Sequence, residues 1–355
     1  MGPLPSRRRV AVAAIAALAL LGAVAAARVP GARAANGTVV LRGAGATLPA
    51  PLYEKWIKTY RRVDPAVTIT YDAVGSGEGQ RRFLAEEVDF GASDAGLSDE
   101  QMARARTGAR LVPATGGMVV LAYNVPGLGG PLRLRRDVYV DIFAGRIRTW
   151  NDPRIRVDNP DLALPHRNIA LVARQEASGT TFAFTNHLSA ISEAWRDRGP
   201  GVGTLVDWRG TAMLARGSEG VAGRIKVSED SIGYVEYHFA KRLGLPMAWL
   251  QNKAGRFVEP SARSGQAALA AGARQMPSNL RLFLPDPEGD ESYPITTYSW
   301  LLLYAHYSDR DKAAAIRKFV SWGISEGQAY SKDLGYIPLP PEVASLSLAA
   351  VERID

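Results

Sequence analysis

Residues 169–182 read IALVARQEASGTTF. An aliphatic run ends at Arg174, a short polar stretch follows, and Ser178-Gly179-Thr180-Thr181 opens onto an apolar-periodic segment that continues to residue 191. The pattern predicts a strand over 169–173, a tight turn, and a helix over 182–191. Strand–turn–helix units are the building blocks of α/β folds. In an open α/β sheet their turns gather at the carboxyl ends of the strands, where ligands bind.

Two further segments share this design. Residues 43–49, GAGATLP, lead into a helix carrying Leu52, Trp56, Ile57 and Tyr60 at helical spacing, and residues 75–79, GSGEG, lead into a helix expected from Gln80. In all three, small residues allow close backbone approach, hydroxyls supply donors, and the first helical turn offers unpaired N–H groups with a partial positive charge. Together these make an anion site. Each segment alone reads more readily as an N-cap or a plain turn; three in one chain shift the balance to the anion.

The intervening chain alternates in the same way. Strands are expected over 38–41, 67–71, 88–90, 118–124, 231–237 and 295–304. Helices are expected over 78–87, 99–106, 138–143, 239–243 and 312–322, the last stopped by Gly323. The Pro/Gly-rich stretch 126–131 and the acidic stretch 285–292 are the expected crossings between lobes. With 355 residues the chain accommodates two α/β lobes.

At the N-terminus Arg7, Arg8 and Arg9 precede an apolar run over 10–27, and Ala32-Arg33-Ala34 is a small-x-small site. This predicts a signal peptide over 1–34, cleaved near Ala34, and an exported mature chain soluble outside the inner membrane. Of the formal charge of +8, five positive charges are arginines within 1–34, so the mature chain carries +3. Its remaining Lys and Arg are scattered among acids with no basic block, which argues against a nucleic-acid partner. The chain has no cysteine, so disulfides, thiolate metal sites and a thiol nucleophile are excluded.

Two charges sharpen the anion reading. Arg174 ends its predicted strand four residues before Ser178, and a guanidinium can grip two oxygens of a tetrahedral anion. Asp94 sits among small residues in Phe90-Gly-Ala-Ser-Asp94. A carboxylate suits an anion site only if the ligand brings a proton. Phosphate retains at least one near neutral pH, whereas sulfate has none.

These motifs identify a resemblance to the periplasmic phosphate-binding proteins of bacterial phosphate ABC transporters. It is carried by GAGATLPAP (43–51), VGSGEG (74–79), VDFGASD (88–94), IRTWND (147–152), SGTT (178–181), EGVA (219–222) and SIGYVEY (231–237), and runs from about Leu41 to Tyr336. The resemblance implies a two-lobed type II periplasmic binding protein fold. Each lobe would be a central mixed sheet flanked by helices, hinge-linked, with lobe I at 35–118 and 293–355 and lobe II at 119–292. It implies inorganic phosphate as ligand, no cofactor, a monomer, and membrane permease subunits as partners. Thr47 and the Leu48 N–H, Ser76, Asp94, Arg174, Ser178, the Gly179 N–H and Thr180 would form the cage, with Glu176 supporting Arg174. Three positions depart from the family pattern: Leu48 replaces a usual phenylalanine, Glu176 a usual aspartate, and Ala177 a common glycine.

The rival class is a secreted phosphatase. His166, His187, His238 and His306 form neither an H-E-x-x-H pattern nor any metal-ligand spacing, Ser76 lacks a G-x-S-x-G elbow, and no P-loop motif is present. The four histidines therefore read as structural. A binder for another tetrahedral oxyanion, and a phosphate binder repurposed for sensing or scaffolding, remain as alternatives.

Overall fold

The structure, a computed structural model, describes residues 38–208 and 212–355. The expected signal peptide and its cleavage point near Ala34 lie outside the described residues.

Eleven strands are described: β1 (Val39–Gly45), β2 (Val67–Ala73), β3 (Phe90–Ser93), β4 (Ala109–Asn124), β5 (Arg133–Leu134), β6 (Ala170–Arg174), β7 (Ala212–Ala215), β8 (Ser231–Glu236), β9 (Trp249–Gln251), β10 (Phe257–Val258) and β11 (Thr296–Tyr304). Eight form one sheet in the order β2-β1-β3-β11-β4-β8-β6-β7. A parallel trio stands at each end, β2-β1-β3 and β8-β6-β7, and antiparallel β11 and β4 join them. This is the two-lobed α/β architecture expected from the alternating pattern. The lobes meet within one compact unit, Thr38–Asp355.

The joining strand is β4. Its first part, to Met118, pairs with β11, and from Val119 onward it pairs with β8. Residues 111–123 of β4 are buried throughout, as befits a central strand covered on both faces. The chain therefore passes between the trios inside a strand. The 126–131 stretch instead leads to β5, in the small β10-β9-β5 sheet.

β4 also begins earlier than the expected 118. Gly116 and Gly117 continue the strand because neighbours occupy the space a side chain would need. An added Cβ would lie 2.2 Å from Leu269 at the first and 2.9 Å from Leu48 at the second. Packing likewise corrects Gly323. The helix Arg310–Ile324 runs through it, because a Cβ there would lie 2.7 Å from the Trp56 ring. Trp56 is itself the buried centre of the amphipathic helix Ala50–Val63, which turns Leu52, Tyr53, Trp56 and Tyr60 inward. The helices Gly217–Val227, Ala262–Ala273 and Pro341–Glu352 have no counterpart among the expected elements.

Candidate functional site

The turns after β1 and β6, the segment after β2 and the end of β3 converge, as the sequence pattern requires. Two of the motifs are not turns before helices but the first helical turns themselves. The helix of the second motif is Ser76–Leu84, so it starts at Ser76 rather than Gln80. Its cap, Gly75, has φ of 98°, a conformation that favours glycine. The helix of the third motif is Gly179–Ile191, capped by the Ser178 hydroxyl, which accepts the Thr181 N–H at 3.2 Å.

All the expected cage residues are brought together, and Thr47, Leu48, Ser76, Asp94, Arg174, Ser178 and Thr180 are buried. Segments from opposite ends of the sheet touch directly. The Gly77 N–H donates to the Ala177 carbonyl at 3.0 Å. A Cβ on Gly179 would lie 2.6 Å from both the Asp94 Cβ and the Ser76 Oγ. The Ala177 methyl rests where Gly77 has no side chain, since a Cβ on Gly77 would approach it to 2.4 Å. That close fit accommodates the departure at 177. Leu48 packs its side chain on Gly117, and its carbonyl accepts the Tyr336 hydroxyl at 2.7 Å.

Arg174 is 2% exposed. Its Nη1 reaches Thr180 Oγ1 at 3.3 Å and Ser218 Oγ at 3.5 Å; its Nε donates to Glu176 Oε1 at 2.9 Å, and its Nη2 bonds the same oxygen. Burial raises the Glu176 carboxyl, but Arg174, together with backbone N–H bonds from Glu176 and Gly217, holds it below its ordinary range. The carboxylate thus fixes the guanidinium from one side and leaves the Nη1 edge to the cage.

Asp94 is buried on the opposite side. Ser299 of β11 donates to its Oδ1 at 2.7 Å, and the Ser76 hydroxyl lies 3.5 Å from its Oδ2. Burial pushes its carboxyl up to about 7, against the lowering effects of Ser299, Arg174 and Ser76. A group so placed holds or releases a proton near neutrality. The cage therefore combines a permanent cation, a carboxyl poised to take part in a proton-bearing hydrogen bond, hydroxyls, and helix first turns.

Ser218 and Ser299 were not legible as site residues. Ser218 follows Gly217 at the start of a helix, where a lone serine carries little signal. Ser299 lies in an apolar strand and reaches Asp94 beside a register shift between Ser299 and Trp300.

The histidines stand apart. Buried His187 bonds the Tyr139 hydroxyl through Nε2 at 2.7 Å and the Pro285 carbonyl through Nδ1 at 2.5 Å, and burial lowers it to about 4. It ties two helices to the 285–292 loop. His238 bonds the Leu334 carbonyl, His166 bonds Asn151, and His306 pairs with Asp355. Among the described residues no group of three His, Cys, Asp or Glu side chains could hold a metal, and no helix is long and apolar enough to cross a membrane.

Fold and site together define a two-lobed binding protein in which a buried arginine, a buried aspartate and buried hydroxyls gather where segments from opposite ends of the sheet meet. Residues 32–326 match the model of the PBP superfamily domain. The chain is 40% identical over 304 residues to the phosphate-binding protein PstS of Pasteurella multocida, covering 85% of this chain and 87% of that protein. It is 37% identical over 340 residues to the phosphate-binding protein PstS of Methanocaldococcus jannaschii, covering 89% and 87%. The crystal structure of a phosphate binding protein from Stenotrophomonas maltophilia superposes with a TM-score of 0.68 at 19% identity, covering 88% of this chain and 93% of that one. The chain belongs to the PBP superfamily and, within it, to the PstS phosphate-binding proteins.

Proposed function

We propose that this chain binds inorganic phosphate with high affinity between its two lobes and delivers it, chemically unchanged, to the permease subunits of an ABC-type importer. The observation that carries the reading is that one buried cluster holds both Arg174 and Asp94, each bonded to other partners. A fully ionised anion satisfies the arginine but opposes an ionised Asp94, whereas a protonated phosphate satisfies both. The names of the relatives support the same ligand.

In this reading Thr47, the Leu48 N–H, Ser76 and Asp94 hold phosphate from lobe I, at 35–118 and 293–355. Arg174, Ser178, the Gly179 N–H and Thr180 hold it from lobe II, at 119–292, with Glu176 behind the arginine. The change of β4 partner between Met118 and Val119 supports that boundary. Phosphate favours the closed arrangement because only closure assembles both sets of contacts. The mature protein, exported by the 1–34 segment, works as a soluble periplasmic monomer, and no step of binding and delivery requires catalysis.

Calorimetric titration of ligand-stripped mature protein with phosphate, then sulfate, tests this. Tight one-to-one phosphate binding without a sulfate response is expected. Comparable sulfate binding would overturn the role of Asp94, and no response to either would overturn the function.

A further inference from the structure

We propose that Ser218 is a closure latch: a positioning residue that orients one phosphate donor from each lobe and slows ligand release. The inference rests on the phosphate reading above and extends the cage beyond the residues that the sequence motifs supply.

Ser218 is 1% exposed and lies in the first turn of the helix Gly217–Val227, after β7. Its backbone N–H donates to Thr47 Oγ1 at 3.3 Å, and its hydroxyl lies 3.1 Å from the same oxygen. That hydroxyl also accepts from Arg174 Nη1 at 3.5 Å. Thr47 follows β1, in the opposite half of the sheet from Arg174 and Ser218. One residue therefore spans the junction and touches a donor on each side.

The contacts have a directional consequence. When Thr47 Oγ1 accepts the Ser218 N–H, its own proton is available to another acceptor. Where the Ser218 hydroxyl also donates to that oxygen, 3.1 Å away, Ser218 aims the Thr47 proton instead of competing for it.

Glu176 places the latch. The helix Gly217–Val227 has Arg216 at its N-cap, with no side-chain cap bond of its own. Glu176 Oε1 takes that role from a distance, accepting the Gly217 N–H at 3.1 Å while it also holds Arg174. One oxygen so ties the guanidinium and the latch turn into a single unit. The usual aspartate is one methylene shorter and would not span the same gap without movement of the turn.

The latch forms only when the lobes meet, so its loss should act on release and leave encounter alone. The test is the release of radiolabelled phosphate from the mature protein into excess unlabelled phosphate, with ligand-free melting measured alongside. Ser218→Ala should release phosphate about 5-fold faster, the scale of one lost hydrogen bond. The association rate and ligand-free melting temperature should stay at parental values. Ser218→Thr should restore slow release. Glu176→Asp should speed release, and combining it with Ser218→Ala should add little, because both act through the same turn. Parental release from Ser218→Ala, or faster release matched by a fall in ligand-free melting, would overturn the latch while parental phosphate binding stands. Absence of phosphate binding by the parental protein would instead overturn the reading beneath it, and the latch with it.

Discussion

Replacing Gly179 with alanine should separate closure from folding. Gly179 opens the helix Gly179–Ile191, where alanine is the better helix former, by up to about 1 kcal/mol in a helix interior. Nothing in its own lobe resists the methyl as strongly as the facing lobe does. The added Cβ would sit 2.6 Å from the Asp94 Cβ, 2.8 Å from its Cα and 2.6 Å from the Ser76 Oγ. The serine can rotate away, but the Asp94 backbone at the end of β3 cannot. Comfortable carbon contact begins near about 3.5 Å, so the two segments must part by about 1 Å. The Gly77 to Ala177 backbone bond, at 3.0 Å, and the Ser218 to Thr47 bond, at 3.3 Å, would then be broken. At about 1 kcal/mol each, their loss weakens phosphate binding about 30-fold before any ligand contact is counted. Calorimetry on Gly179→Ala should show at least that loss, with an unchanged or higher ligand-free melting temperature. Parental affinity would refute the argument, and so would a matching fall in ligand-free stability, which would mark the clash as a folding defect.

Asp94 should be visible in the pH dependence of stability. In the closed arrangement burial lifts its carboxyl from 3.8 to about 7, so between about pH 4 and 7 the closed, folded protein keeps a proton the unfolded chain has lost. The stability of that closed form should therefore fall as pH rises through that window. Glu236, whose carboxyl burial holds well above its usual range, adds a slope of the same sign, so the Asp94 part is what Asp94→Asn removes in melting scans. Gly323→Ala should lower stability by about 1–3 kcal/mol by crowding Trp56. Titration should find its phosphate affinity unchanged, because the strain lies in the helix packing away from the cage.

Legibility tracked how local the cause was. Arg174 and Ser178–Thr180 stand out because a charge and hydroxyls in a tight strand–turn–helix unit announce themselves within fourteen residues. Asp94 stands out as an acid among small residues. Ser299 could not, since only the pairing of β11 with β3, two hundred residues apart, turns an ordinary strand serine into the partner of Asp94. Gly116 and Gly117 suggested the boundary of a strand because the side chains that fill their space, Leu269 and Leu48, come from remote segments. The helices Gly217–Val227 and Ala262–Ala273 contain glycines in a helical face, and local propensity undervalues helices that tertiary packing sustains.

The same geometry makes selectivity a function of pH. Ser299 occupies Asp94 Oδ1, which leaves Oδ2, only loosely approached by Ser76, for the ligand contact proposed above. Above about pH 7 the empty-site carboxyl is ionised. In the proposed role it would then accept a phosphate proton and repel sulfate, which has none to give. Below that pH Asp94 increasingly carries its own proton and can donate it, so sulfate meets a donor where it had met a like charge. Discrimination between the two anions should therefore be strong at pH 8.5 and decline toward pH 5.5. In Asp94→Asn, which offers an amide donor at every pH, it should be weak and flat. Competition titrations at the two pH values decide the matter. A discrimination that holds constant in the parental protein, or persists in Asp94→Asn, would mean that shape and the Arg174 side of the cage do the selecting, and that the buried carboxyl is held there for another reason.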